Sequence, residues 1–153
     1  MALTDYLNSD AVCMDLAPRE RDEAIRALLG LLVACKALSA ELADRALEAI
    51  LEREALGSTA IGRGLAVPHG RLEGLGRIMV ALGFSSSGVE FNALDGAPVH
   101  QIFLIIAPTG QAEDYLDAME RVTRLVQNAD FRRFVSHAKS SGEVLDLIAE
   151  MDV

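Results

Sequence analysis

The segment Leu56-Gly-Ser-Thr-Ala-Ile-Gly-Arg-Gly-Leu-Ala-Val-Pro-His-Gly-Arg71 constrains this chain more than any other part of it. Four glycines and one proline in sixteen positions are too many for a helix interior, where a glycine costs about 1 kcal/mol and a proline about 3 kcal/mol relative to alanine. Their spacing is also too irregular for a repeat, so the stretch must be loop and short strand.

The sequence on either side has regular periodicity. Upstream, Ala24, Leu28, Leu31 or Leu32, and Cys35 recur at helical spacing, and Pro18 suits the first turn of that helix, where a missing N–H costs nothing. A second helix is predicted after a Ser39 N-cap, with Leu42, Ala46, Ile50 and Leu51 on one face and an end near Arg53 and Glu54. Downstream, residues 78–84 and 99–107 are short apolar runs bounded by Gly, Ser, Asp and Pro. They read as strands, the second buried on both faces. Thr109 is the expected cap of a helix carrying Leu116, Met119, Val122 or Thr123, and Val126. Asp130 opens a short helix, and Ser140-Ser-Gly-Glu143 has capping-box spacing ahead of Leu145, Ile148 and Met151. Helices, strands and helices in that order predict an α/β sandwich with a small mixed central β-sheet flanked by helices. With no linker, charge block or internal repeat, residues 1–153 read as one domain.

Composition excludes several functions. Half of the residues are apolar, enough for a sizeable core without staples. A net charge of −9, no basic cluster longer than Arg132-Arg133, and only two Tyr and five Phe argue against a nucleic-acid partner. No apolar run approaches the roughly 20 residues that cross a bilayer, so direct membrane insertion is not expected. The opening Met-Ala-Leu-Thr-Asp-Tyr lacks the features of a secretory signal, and a cytoplasmic location is expected. Cys13 and Cys35, with no CxxC or Cys/His cluster, suggest neither a disulfide framework nor a metal site. No cofactor is called for.

Three histidines remain to be sorted. His137 lies in polar Val-Ser-His-Ala-Lys-Ser and reads as an exposed helix-end imidazole. His100 opens the buried strand and reads as a satisfied core or sheet-edge residue. His69 sits between Pro68 and Gly70, in a loop that also holds Ser58 and Thr59 hydroxyls, the N–H groups of Gly57, Gly62, Gly64 and Gly70, and the guanidinium forks of Arg63 and Arg71, with Arg53 just upstream. These are anion-binding parts. A phosphoryl group on an imidazole nitrogen needs such donors, because its loose transition state spreads charge over three oxygens. A neutral imidazole is a nucleophile near neutral pH and holds the group reversibly. Without a Walker-A sequence or clustered carboxylates for magnesium, the phosphoryl source should be another phosphoprotein rather than a nucleotide. A hydrolase built on Ser58 or Cys13 lacks the Gly-x-Ser-x-Gly elbow it would need.

Arg53-Glu54 followed by Leu56 through Arg71, then Gly88-Val-Glu-Phe91 and Leu94-Asp-Gly-Ala-Pro-Val99, resembles the fructose/mannitol-type enzyme IIA family of the bacterial phosphotransferase system. The likeness spans nearly the whole chain and is nearest to the nitrogen-related regulatory type. It implies a phosphotransferase in which His69 accepts a phosphoryl group from an HPr-like carrier, with Arg53 stabilising charge and Thr59 orienting the ring. Ser58, Gly70 and Arg71 are further phosphate-site candidates. The family commonly carries a second active-site histidine in a His-Leu pair, and here that pair is Tyr115-Leu116. Tyr115 can donate a hydrogen bond to phosphate but brings no positive charge. The resemblance leaves three roles open: a regulator acting on target proteins, a sugar-specific enzyme IIA passing phosphoryl to an enzyme IIB cysteine, and a binding module that is no longer phosphorylated. Leu65, Ala66, Val67 and Phe91 are either the ring that meets the carrier or core residues.

Overall fold

The run expected to be a doubly buried strand is the middle of the molecule. In a computed structural model describing residues 2–7 and 9–152, β6 (Val99–Pro108) is paired along both edges. One edge holds β5 (Met79–Val89) antiparallel, and β5 in turn pairs in parallel with β1 (Val12–Cys13). The other edge is shared end to end by two parallel strands. β3 (Leu65–Ala66) lies opposite Gln101 and Ile102, and β4 (His69–Leu72) runs from Ile105 to Pro108. β2 (Ala60–Gly62) is antiparallel to β3 and completes a six-stranded, open, mixed sheet.

Successive side chains of a strand point to opposite faces, and β6 uses this to build two cores. Ile102, Leu104 and Ile106 face the cluster under α1 (Arg21–Ala34) and α2 (Ala40–Ala55). Phe103, Ile105 and Ala107 face the cluster under α3 (Ala112–Gln127), α4 (Ala129–Ser136) and α5 (Ser141–Met151). The arrangement is the α/β sandwich with a mixed central sheet read from the sequence.

Several boundaries differ from expectation. Pro18 lies outside α1, which starts at Arg21, because the chain before it stays extended to bridge the sheet: Glu20 pairs with Glu90, and Glu90 N–H donates to the Arg19 carbonyl at 2.8 Å. Thr109 does not cap α3. A turn closed by Gln111 N–H on the Pro108 carbonyl takes up that position, and Gln111 is the N-cap. The buried face of α3 is Ala118, Val122, Leu125 and Val126, which leaves Leu116 61% exposed. Asn128, not Asp130, caps α4, its Oδ1 accepting from the N–H groups of Asp130 and Phe131. Ser39 and Ser140 cap α2 and α5 as expected, although the Glu143 carboxylate reaches back to Lys139 N–H rather than to Ser140.

Candidate functional site

Three elements meet at the start of β4. The last turn of α2 brings Arg53 and Glu54, β4 brings His69 and Arg71, and the first turn of α3 brings Tyr115. What lets α2 lie so close to β4 is Gly70. A Cβ there would stand 3.2 Å from Ala49 Cβ and 3.3 Å from both Cγ1 and N of Ile50. Gly70 therefore serves helix-on-strand packing, a task in addition to the N–H donor read from the sequence. Of the other loop glycines, Gly62 and Gly64 form the β2–β3 turn, with φ of 93° and 77° around Arg63 at 59°.

His69 is partly buried, and its Nδ1 lies 2.8 Å from the Val67 carbonyl. A carbonyl can only accept, so Nδ1 carries the proton and the Nε2 lone pair is left for chemistry. Burial pushes the imidazole below its usual range. The Val67 carbonyl works against this, the Arg53 guanidinium adds to it, and the Glu54 carboxylate opposes it. The ring of Tyr115 stands 6.2 Å from that of His69, tilted by 51°. The Arg71 guanidinium lies over the tyrosine, 5.5 Å from its centroid. Burial raises the Tyr115 phenol, against the pull of Arg71 and Arg53. Arg53 itself donates to the Gly57 carbonyl at 2.8 Å, which ties its side chain across the helix end.

The two shifts move away from neutrality in opposite directions, so the pair keeps one protonation state, a neutral imidazole beside a neutral phenol, throughout the neutral range. An NMR titration is expected to place the His69 midpoint below 6.5 and Tyr115 ionisation above 10.0. The native chain then binds the His69 proton less readily than the unfolded chain. The associated stability is complete above about 6.5 and is lost as pH falls through the folded-state midpoint. A midpoint at or above that of a free imidazole would contradict the geometry.

Not every expected group converges here. The Ser58 hydroxyl donates to the Phe91 carbonyl at 2.9 Å and accepts from Ala60 N–H at 3.1 Å, so its proton is committed to shaping the loop. The bond that orients the His69 ring comes from Val67, while Thr59 Oγ1 is buried with no partner. Arg63 points elsewhere: its N–H meets Asp95, and it lines a shallow cavity of about 430 Å³ with Ile61, Thr123 and Arg132. His100 donates Nδ1–H to the Ser85 carbonyl at 2.7 Å, and His137 ends α4, bonded to the Arg133 carbonyl. Leu65, Ala66, Val67 and Phe91 are all core, so the contact-ring reading of them falls; among the described residues the large apolar side chains that are exposed are Leu56, Ile61, Leu94, Leu116 and Phe134. Glu54 is the site residue that sequence reasoning passed over. Its signal was its place four residues beyond Ile50 on the buried stripe of α2. Among the described residues, no helix is long and apolar enough to cross a membrane, and no group of three or more His, Cys, Asp or Glu could hold a metal ion.

Comparison with known proteins bears on what such a site does. Residues 5–151 match the family described as "Phosphoenolpyruvate-dependent sugar phosphotransferase system, EIIA 2". The chain is 31% identical over 153 residues to a nitrogen regulatory protein of Bradyrhizobium diazoefficiens, covering 97% of this chain and 95% of that one. It is 30% identical over 152 residues to a fructose-specific EIIABC component of Bacillus subtilis, covering 99% of this chain but only 24% of that relative's length. The crystal structure of nitrogen regulatory protein IIA-Ntr from Neisseria meningitidis is similar with a TM-score of 0.84 at 26% identity, over 94% of this chain and 97% of that one. The mannitol enzyme IIA in complex with phosphorylated enzyme IIB from Escherichia coli shares the fold, with a TM-score of 0.74 at 22% identity over 94% and 97% of the two chains.

Proposed function

Because this chain belongs to the EIIA type-2 family of the phosphotransferase system, a family of phosphoryl carriers, we propose that it is a single enzyme IIA domain that takes a phosphoryl group on Nε2 of His69 from an HPr-like phosphocarrier in the cytoplasm. The observation that carries this reading is the bond from His69 Nδ1 to the Val67 carbonyl, 2.8 Å long. It fixes the tautomer and ring direction that leave Nε2 as the nucleophile. Burial keeps that ring neutral. Arg53, whose charge acts on both rings, and Arg71, which lies over Tyr115, supply guanidinium donors near the place where the transferring group spreads its charge. The Tyr115 phenol is a neutral donor to the phosphoryl oxygens, and Thr59, with its unbonded hydroxyl, is a further one.

The role of the phosphorylated protein is mainly regulatory, with its target proteins sensing the charge that appears at the His69 surface. The high similarity to a nitrogen regulatory IIA structure supports this over the sugar role. The fructose-specific relative favours the second reading, in which the group passes to an enzyme IIB cysteine. Leu116, exposed next to Tyr115, is where an incoming carrier finds apolar surface.

Intact-mass analysis at neutral to alkaline pH, after incubation with phosphoenolpyruvate, enzyme I and an HPr-like carrier, tests the proposal. The wild-type chain is expected to gain one acid-labile phosphoryl group, and His69→Ala to gain none. Wild-type protein that stays uncharged beside an active carrier would turn the reading toward a binding module. Onward transfer to an enzyme IIB domain would select the sugar role.

A further inference from the structure

Glu54 is 4% exposed, yet only one of its oxygens is bonded: Oε1 accepts Thr59 N–H at 3.3 Å, and Oε2 has no partner. A carboxylate buried this deeply and bonded this sparsely is costly unless a positive charge is present to meet it. The path leading away from it ends at such a place. Thr59 N–H bonds the carboxylate, the Thr59 carbonyl accepts Val67 N–H at 3.2 Å, and the Val67 carbonyl accepts His69 Nδ1–H at 2.8 Å. Glu54 thus anchors the loop residue that anchors the carbonyl that holds the imidazole. It also acts on the ring directly through its charge.

Resting on the reading of His69 as phosphoryl acceptor, we propose that Glu54 is a positioning residue which supports the positive charge the His69 ring acquires on phosphorylation and so keeps the phosphoryl group transferable. In the transfer, the Nε2 lone pair forms the new N–P bond. The P–N bond to the carrier's imidazole breaks, and its electron pair returns to the carrier's ring. No proton moves: Nδ1 keeps its hydrogen, the His69 ring becomes an imidazolium, and the carrier's protonated ring becomes neutral. Onward transfer reverses these steps and expels neutral imidazole from phosphorus. If Nδ1–H were lost, the leaving group would be an imidazolate anion, a far poorer one.

The charged and titratable groups around this ring are few. Arg53 and Glu54 face it from α2, Arg71 lies on its own strand, and Tyr115 faces it from α3, while β6 contributes apolar Ile105 opposite it. The guanidinium of Arg53 disfavours a cationic ring, and Glu54 is the carboxylate that offsets it.

The test is an NMR titration of the full chain labelled at histidine, comparing wild type with Glu54→Gln, Glu54→Asp and Glu52→Gln, the last removing an exposed charge from the same turn of α2. Glu54→Gln is expected to lower the His69 midpoint. After charging by a phosphorylated HPr-like carrier, it is expected to lower the Nδ1–H midpoint of the phosphohistidine in the same direction. Return of the group to unphosphorylated carrier should slow about tenfold per pH unit of that shift on the alkaline side. Glu52→Gln and Glu54→Asp should both titrate with wild type. A Glu54→Gln midpoint equal to wild type overturns the proposal, as does an equal shift in Glu54→Asp, which would mark a packing effect, or in Glu52→Gln, which would mark bulk charge. The uncharged protein decides the effect of Glu54 even if the carrier never charges wild type, an outcome that would count against the acceptor reading instead.

Discussion

Replacing Arg53 by alanine is expected to slow phosphorylation of His69 about 100-fold, the usual loss when one donor to a developing oxyanion is removed. Arg53 is suited to this because it is already held in place. Its Nη1 is bonded to the Gly57 carbonyl, so the guanidinium need not be ordered when the phosphoryl group arrives. Its charge acts on both His69 and Tyr115. The same substitution should raise the His69 midpoint, since Arg53 is one of the groups that lowers it. Arg53→Lys separates the two effects. It keeps the positive charge, and with it the depressed midpoint, but loses the planar fork, and should retain about a tenth of the wild-type rate. Single-turnover charging followed by mass, alongside the histidine titration, gives both numbers. A rate unchanged in Arg53→Ala would remove Arg53 from the chemistry.

Gly70→Val is expected to damage stability and transfer together. Even a methyl group at this position meets Ala49 and the backbone nitrogen of Ile50 at 3.2–3.3 Å, and a helix backbone cannot turn aside as a side chain can. Overpacking of this kind costs about 1–3 kcal/mol, which for a chain of this size lowers the melting temperature by roughly 2–12 °C. If the fold survives, α2 and β4 must stand further apart. That separates Arg53 from His69, and a displacement of about 1 Å in a reacting constellation can cost 100-fold in rate. Calorimetry and charging rates on one preparation check both. Gly70→Val with native melting and slow charging would mean that position 70 acts on the transfer itself and not through the spacing of α2 and β4.

Much of this fold was legible because its strongest signals are local. Residues 102–107 are apolar without a break, and only a strand covered on both faces uses such a run. Ser39 and Ser140 announce their helices by chemistry that operates within three residues. The phase of α3 was not legible in the same way. Leu116 and Ala118 both fit an amphipathic helix, and size favoured the leucine, but the sheet buries the alanine. At the site, the side chains that announced themselves were His69, Arg53 and Arg71. The Val67 carbonyl that sets the tautomer has no side-chain signature at all. Gly70 was seen for its glycine character, but its packing against α2 was not, because open backbone and close approach leave the same letter in a sequence. Glu54 looked like the polar end of a helix, and only the continuation of the Ala46–Ile50 stripe pointed inward.

The edge that β4 shares with β6 also bears on when the site comes into being. Residues 69–72 and 105–108 are far apart in sequence, parallel, and joined through a long intervening hairpin, the kind of pairing whose loop entropy is overcome late in folding. His69 sits at the first register of that pairing, and Ile105 N–H closes it on the Pro68 carbonyl. The order of the His69 ring therefore depends on a long-range pairing of the sheet as well as on the helical layer packed against it. A chain in which β4 is unpaired from β6 would not hold His69 at this register, and its charging by a carrier is expected to fall with the loss of that pairing.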